Sequence, residues 1–254
     1  MVKGILFDIG GTIFTSDKVE SENKSKAGFA LLQYLQKHGI LLDCNKSGEE
    51  IATLVKSGQK AFKAWADNNG LIDIFPFELF TKWIFTDLSA KEKESLKIIA
   101  NQAINVWKTN GGGWIRHDAA ETLKKLHALG YKLGVISNTD SLDFVTKRLY
   151  NNGIYQYFEP NCIYLSCASQ CRKPNKNIFL EACKDIDCQP NEVVYVGDTI
   201  SRDVIGSKNA GLKACIRINA VTFHELEKDQ YKDKDTQYVI NEFSEIINIV
   251  ASMK

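Results

Sequence analysis

The 254-residue sequence contains no apolar run approaching the ~20 residues needed to cross a bilayer, which excludes an α-helical membrane protein. Its opening, Met1-Val2-Lys3-Gly4-Ile5-Leu6-Phe7-Asp8, is a short apolar run closed by an acid. It has neither the long hydrophobic region nor the small-residue cleavage site of an export signal, so a cytosolic protein is expected. There is no excess of one charge either: the net charge is +1, too little for an overall field that would gather nucleic acid or an anionic membrane. Lys91-Glu92-Lys93-Glu94 reads instead as a solvated helix face. The seven cysteines are odd in number and scattered, which argues against a disulfide framework. No Cys-x-x-Cys is present, and Cys167-x₃-Cys171 has no neighbouring His pair to make a zinc site. Repeats and low-complexity tracts are also missing. What remains is ordinary globular composition, 44% hydrophobic and 25% charged.

Six short β-rich runs stand out, at 3–7, 132–136, 162–165, 193–196, 213–216 and 238–240. From the second onward, helical patterns such as Ala120, Leu123, Leu126 and Leu129 separate them. Short buried strands alternating with helices predict an α/β fold with a mostly parallel sheet, whose site lies at the carboxyl ends of its strands. Between the first two runs lies a helical insert, residues 17–113, read as a separate cap on a core formed by 1–16 and 114–254. Trp65, Trp83 and Trp107 fit its apolar pattern, and Phe75-Pro76-Phe77 interrupts it in a position to face a cleft. Ser16 at one end and Gly111–Gly113 at the other are the expected hinges of a mobile insert. Lys56, Lys60 and Lys63 share one helical face and read as a solvated stripe. His38, His117, His127 and His224 have no motif context and are expected at the surface or in caps. Thr139 and Asp140 are expected to cap the following helix.

Four polar signatures fall at or just beyond strand ends: Asp8-Ile9-Gly10-Gly11-Thr12, Ser137-Asn138, Arg172-Lys173-Pro174, and Gly197-Asp198-Thr199-Ile200-Ser201-Arg202-Asp203. Phosphoryl transfer explains the set. A carboxylate can attack phosphorus only if a divalent cation and fixed donors neutralise the phosphate. Asp8 and Asp198 are oxygen ligands suited to Mg²⁺, while the Ser137 hydroxyl and Lys173 ammonium suit the equatorial oxygens.

In this arrangement the chain resembles the haloacid dehalogenase-like superfamily, whose motifs run Asp-x-Asp-Gly-Thr, Ser/Thr, Lys and Gly-Asp-x₄-Asp. The resemblance implies a Rossmann-like parallel-sheet core with an inserted helical cap. It also implies a hydrolase that turns over a small phosphorylated metabolite through an aspartyl-phosphate. Carried over, it makes Asp8 the nucleophile and Ser137 and Lys173 the other catalytic groups. The expected substrate contacts are Thr12, Ser137, Asn138 and Lys173, and the Mg²⁺ set is Asp8, the Gly10 carbonyl, Asp198 and Asp203. One departure matters, because the family's second aspartate, a general acid/base, is Gly10 here. A branch similar to sugar-phosphate phosphatases shares that Gly. The alternatives are an impaired relative that binds phosphorylated ligands or a protein partner, a haloacid dehalogenase, and a phosphonate hydrolase with a cap lysine. Dehalogenases usually hold substrate through an early cap arginine, and residues 1–115 contain none.

Overall fold

The computed structural model describes residues 1–15, 21–42, 46–110, 113–220 and 236–253. Strand β1 (Gly4–Phe7) is buried along its whole length. Its side chains alternate between two apolar clusters: Ile5 and Phe7 enter one, Leu6 the other. That two-residue period requires cover on both faces. After a tight turn the chain forms β2 (Phe14–Thr15), antiparallel to β3 (Trp114–Ile115). This ribbon was not expected from sequence, since two-residue strands are too short to show alternation.

Between β2 and β3 the described residues form four helices: α1 (Ser21–Lys37), α2 (Gly48–Asn68), α3 (Pro76–Leu79), which continues into a wide turn at Phe80–Ile84, and α4 (Ala90–Asn110). Helix α2 starts in a capping box, with Ser47 Oγ accepting from Glu50 N and the Glu50 carboxylate accepting from Ser47 N. The helices share an apolar cluster drawn entirely from residues 27–107, including Leu31, Val55, Phe62, Phe80, Ile104 and Trp107. Trp83 packs against this cluster, as expected, whereas Trp65 is 39% exposed and stacks beside Phe62. Of the expected hinges, Ser16, Gly111 and Gly112 lie outside the described residues, as do Cys44 and His224.

Beyond β3 come α5 (Ala119–Ala128), β4 (Lys132–Ser137), α6 (Phe144–Asn151), β5 (Ile163–Leu165), α7 (Ser166–Ser169) and α8 (Lys176–Asp185). They are followed by β6 (Val193–Gly197), α9 (Ile205–Asn209), β7 (Ala214–Ile218), β8 (Tyr238–Ile240) and α10 (Ile246–Ser252). The main sheet is wholly parallel, in the order β5-β4-β1-β6-β7-β8. Counted within the sheet this is 3-2-1-4-5-6, the Rossmann-like order, with its switch point between β1 and β6. The carboxyl ends of these two strands carry Asp8 and Asp198. Among the described residues no helix is long and apolar enough to cross a membrane.

Candidate active site

Asp8 follows β1 directly, and its backbone N donates to the Val196 carbonyl of neighbouring β6. The side chains of Asp8, Asp198 and Asp203 therefore converge, and all three offer ligand oxygens within 4.8 Å of one another. Lys173 reaches into this cluster from the loop before α8. Its Nζ lies 2.9 Å from Asp8 Oδ1 and 2.7 Å from Asp203 Oδ1, and donates to Tyr195 OH at 2.8 Å. The Tyr195 hydroxyl in turn donates to the Ile136 carbonyl. A lysine only 2% exposed needs such partners, because an unpaired buried ammonium would lose its proton.

The acids differ in how well they are compensated. Burial raises the pKa of Asp8, with Lys173 opposing and Asp203 adding to the rise. Asp198 is pushed well above the usual carboxylate range, first by burial and then by the charges of Asp8 and Asp203. Its Oδ1 is buried without a hydrogen-bond partner. Asp203 is also buried, but Lys173, Arg202 and the Thr199 hydroxyl outweigh that and hold it below the usual range. Two close acids with one orphaned oxygen suit a divalent cation, which would satisfy Asp198 and remove the mutual repulsion.

Asp198→Asn should therefore stabilise the metal-free protein at neutral pH by about 1–2 kcal/mol, roughly 2–8 °C in Tm. A carboxyl whose folded pKa is raised contributes stability at low pH and loses it as pH rises through the folded value. The gain should consequently vanish toward pH ~4, the unperturbed carboxylate range. Thermal melts from acid to neutral pH, with and without Mg²⁺, check this. The variant should also lose the Mg²⁺-induced rise in Tm shown by the parent.

Several expected site residues serve the loops themselves. Asp203 has both oxygens engaged, Oδ1 by Lys173 and Oδ2 by the Thr199 N–H at 2.9 Å and hydroxyl at 2.6 Å. It holds Lys173 and the turn after β6, and it stands with Asp8 and Asp198 in the cluster whose oxygens could hold a cation. Asn138 accepts from Lys173 N at 2.9 Å and donates to the Lys173 carbonyl at 3.0 Å, so its amide positions Lys173. Thr12 is fully buried, with its hydroxyl unpartnered and its carbonyl taken by Arg116. Ser137 ends β4, 5% exposed, and its hydroxyl has no partner among the described residues.

The turn after Asp8 depends on Gly11. With φ at +77° it occupies left-handed space, and a Cβ there would collide with the Asp198 carboxylate. Gly10 is different. It is exposed, its φ is not left-handed, and a Cβ would meet nothing within 4 Å. Its backbone therefore leaves room for a side chain. The Gly10 carbonyl accepts no hydrogen bond among the described residues. Arg116, unnoticed in the sequence, clamps this turn by donating to the carbonyls of Thr12 (2.7 Å), Gly11 (2.8 Å) and Asn219 (3.1 Å). Its signal was positional, as the first arginine after 115 residues without one.

The helical insert meets the core beside two of these loops. Thr139 and Asp140 do not cap α6; Ser141 Oγ accepts from Asp143 N and Phe144 N there. Asp140 instead binds the cap, pairing with Lys108 of α4 through Oδ1 and accepting from Gln59 of α2 through Oδ2. Asn101 and Asn105 of α4 both donate to Asp143 Oδ1, at 2.9 and 2.7 Å. On the other side Arg172 N donates to the Leu71 carbonyl at 3.0 Å, and Ile72 forms an antiparallel bridge with Cys171. The buried Arg172 lies over the Phe62 ring, 4.0 Å from Asp73.

A model of the haloacid dehalogenase-like hydrolase family matches residues 2–211. The glyceraldehyde 3-phosphate phosphatase of Methanopyrus kandleri is 25% identical over 255 residues, covering 100% of this chain and 99% of its own. The putative pyrophosphatase PpaX of Clostridium perfringens is 23% identical over 254 residues, with 100% and 99% covered. Among solved structures, a 2-haloacid dehalogenase from Pseudomonas syringae pv. Tomato superposes with a TM-score of 0.68 at 20% identity, covering 100% of each chain. At that identity the superposition speaks for the fold alone. With the family model spanning most of the chain and four acid and lysine side chains gathered at one switch point, the chain belongs to the haloacid dehalogenase-like hydrolase family.

Proposed function

We propose that this chain is a Mg²⁺-dependent phosphatase acting on a small phosphorylated metabolite of the sugar-phosphate class, with Asp8 as nucleophile. The observation that carries the reading is the convergence of Asp8, Asp198 and Asp203 around Lys173. The names of the full-length relatives, glyceraldehyde 3-phosphate phosphatase and putative pyrophosphatase, support the same chemistry. Asp8, Asp198 and the Gly10 carbonyl are the groups that would hold Mg²⁺. Bound there, the ion would neutralise phosphate charge so that a carboxylate can approach phosphorus.

The Asp8 carboxylate attacks phosphorus as the ester P–O bond breaks, and the leaving alkoxide takes a proton from water to become the alcohol. Lys173 and the unengaged Ser137 hydroxyl hold equatorial oxygens as charge builds on them. Water then attacks the phosphorus of the aspartyl-phosphate. The P–O bond to Asp8 breaks, inorganic phosphate leaves and the carboxylate is restored. Because position 10 has no side chain, solvent or substrate must carry the protons that an acid/base would otherwise move.

The test is phosphate release from a panel of esters, with and without EDTA, using Asp8→Asn as the blank. Release is expected only from the parent with Mg²⁺. Halide release from 2-haloacids without metal would point to the dehalogenase reading, and binding without turnover to an impaired relative.

A further inference from the structure

Helix α2 carries Lys56, Lys60 and Lys63, and the third of these is not part of an ordinary solvated stripe. Lys63 lies one turn beyond Gln59, which touches Asp140, and next to Phe62, which lies under Arg172. It is therefore turned toward the seam between the helical insert and the two catalytic loops. Its side chain is exposed to solvent. Burial lowers its pKa, and the cations of Arg202, Arg172 and Lys108 lower it further; Asp140 is the acid that counters them.

Asp140 has little left to give Lys63, because one oxygen pairs with Lys108 and the other accepts from Gln59. Arg172 likewise has its own acid in Asp73. Lys63 makes no hydrogen bond or ion pair among the described residues. An ammonium set among like charges, with the nearby acid already engaged, has the environment of an anion-binding group. The seam that Lys63 faces borders the loops of the proposed phosphate-binding groups: Asp140 follows Ser137 by three residues, and Arg172 immediately precedes Lys173.

We infer that Lys63 is a specificity-determining residue that recognises a second oxyanion on the leaving group, so that phosphate esters bearing a carboxylate or second phosphate are preferred over neutral counterparts. This rests on the phosphatase reading above and narrows its substrate class. The contact is made in the ground state as well as the transition state, so it should act on KM more than on kcat.

Two matched pairs test it with Mg²⁺ present: glycerol 1-phosphate against 3-phosphoglycerate, and fructose 6-phosphate against fructose 1,6-bisphosphate. The parent should favour the member with the second oxyanion by about tenfold or more in kcat/KM, chiefly through KM, as a charge-assisted contact provides. Lys63→Gln should bring each ratio to near one, Lys63→Arg should keep most of it, and Lys60→Gln should leave it alone. A preference in only one pair identifies carboxylate or phosphate as the recognised group. Equal kcat/KM within both pairs for the parent, or a preference that survives Lys63→Gln, overturns the inference. If no ester is turned over, the phosphatase reading fails. Calorimetric binding of the same compounds to the parent and Lys63→Gln then decides the Lys63 assignment by the same ratios.

Discussion

Replacing Lys173 by Met should lower stability by about 3–5 kcal/mol at pH 8 and cut turnover by about 10²–10³-fold or more. The ammonium sits between Asp8 and Asp203 with almost no access to water, so its removal leaves two buried carboxylates facing each other. The sign of the pH dependence follows. In the parent, Asp203 has a depressed pKa, so its contribution is fully present at neutral pH and is lost only as acid protonates it. Without Lys173 both acids should have raised values, and the variant should regain stability as pH falls from 8 toward 5. Urea melts at these two pH values check this. A second variant, Lys173→Met with Asp203→Asn, removes one of the stranded charges and should recover part of the loss. A penalty independent of pH and unrelieved by Asp203→Asn would mean that Lys173 contributes only packing.

Gly10→Asp should raise turnover of simple alkyl phosphates by up to ~10²-fold, with a smaller gain on aryl or acyl phosphates. The new carboxyl would stand two residues beyond Asp8, the proposed nucleophile, where the family motif that the chain resembles has its second aspartate. The backbone raises no objection, since the position is exposed, its φ is ordinary and its Cβ direction is open. Poor leaving groups gain most because their oxygen needs a proton as the P–O bond breaks. Log rate plotted against leaving-group pKa should be steep for the parent and shallower for Gly10→Asp. Parallel lines would show that another group already donates that proton. The neighbouring Gly11→Ala offers a control of opposite sign, as its side chain would strike Asp198.

The sheet and the four polar signatures at its strand ends were legible because each is written locally. An apolar run such as Val193–Val196 announces a buried strand, and the polar residues at its end announce a site. Relations that depend on distant residues were not legible. That the Asn138 amide holds the backbone of Lys173, far along the chain, is one such relation. Asp140 looked like a helix cap because its tie to Gln59 crosses from one half of the fold to the other. Tyr195 did leave a trace: a lone hydroxyl in an otherwise aliphatic, fully buried strand must find a partner, and here that partner is Lys173.

The pairing of β1 has a consequence for how the protein is made. Its first residue, Gly4, lies between Lys132 and Val193, so the first strand of this sheet in chain order is at its centre and both of its neighbours come more than a hundred residues later. At about 5–20 residues per second, the nascent Gly-Ile-Leu-Phe segment waits roughly 10–40 s before β6 emerges to enclose it. The insert has no such delay. Its apolar cluster closes within residues 27–107, so it can consolidate on the ribosome while the sheet that will carry it still lacks every strand after β1. Chaperone demand should therefore centre on β1, held open beside an already folded helical unit.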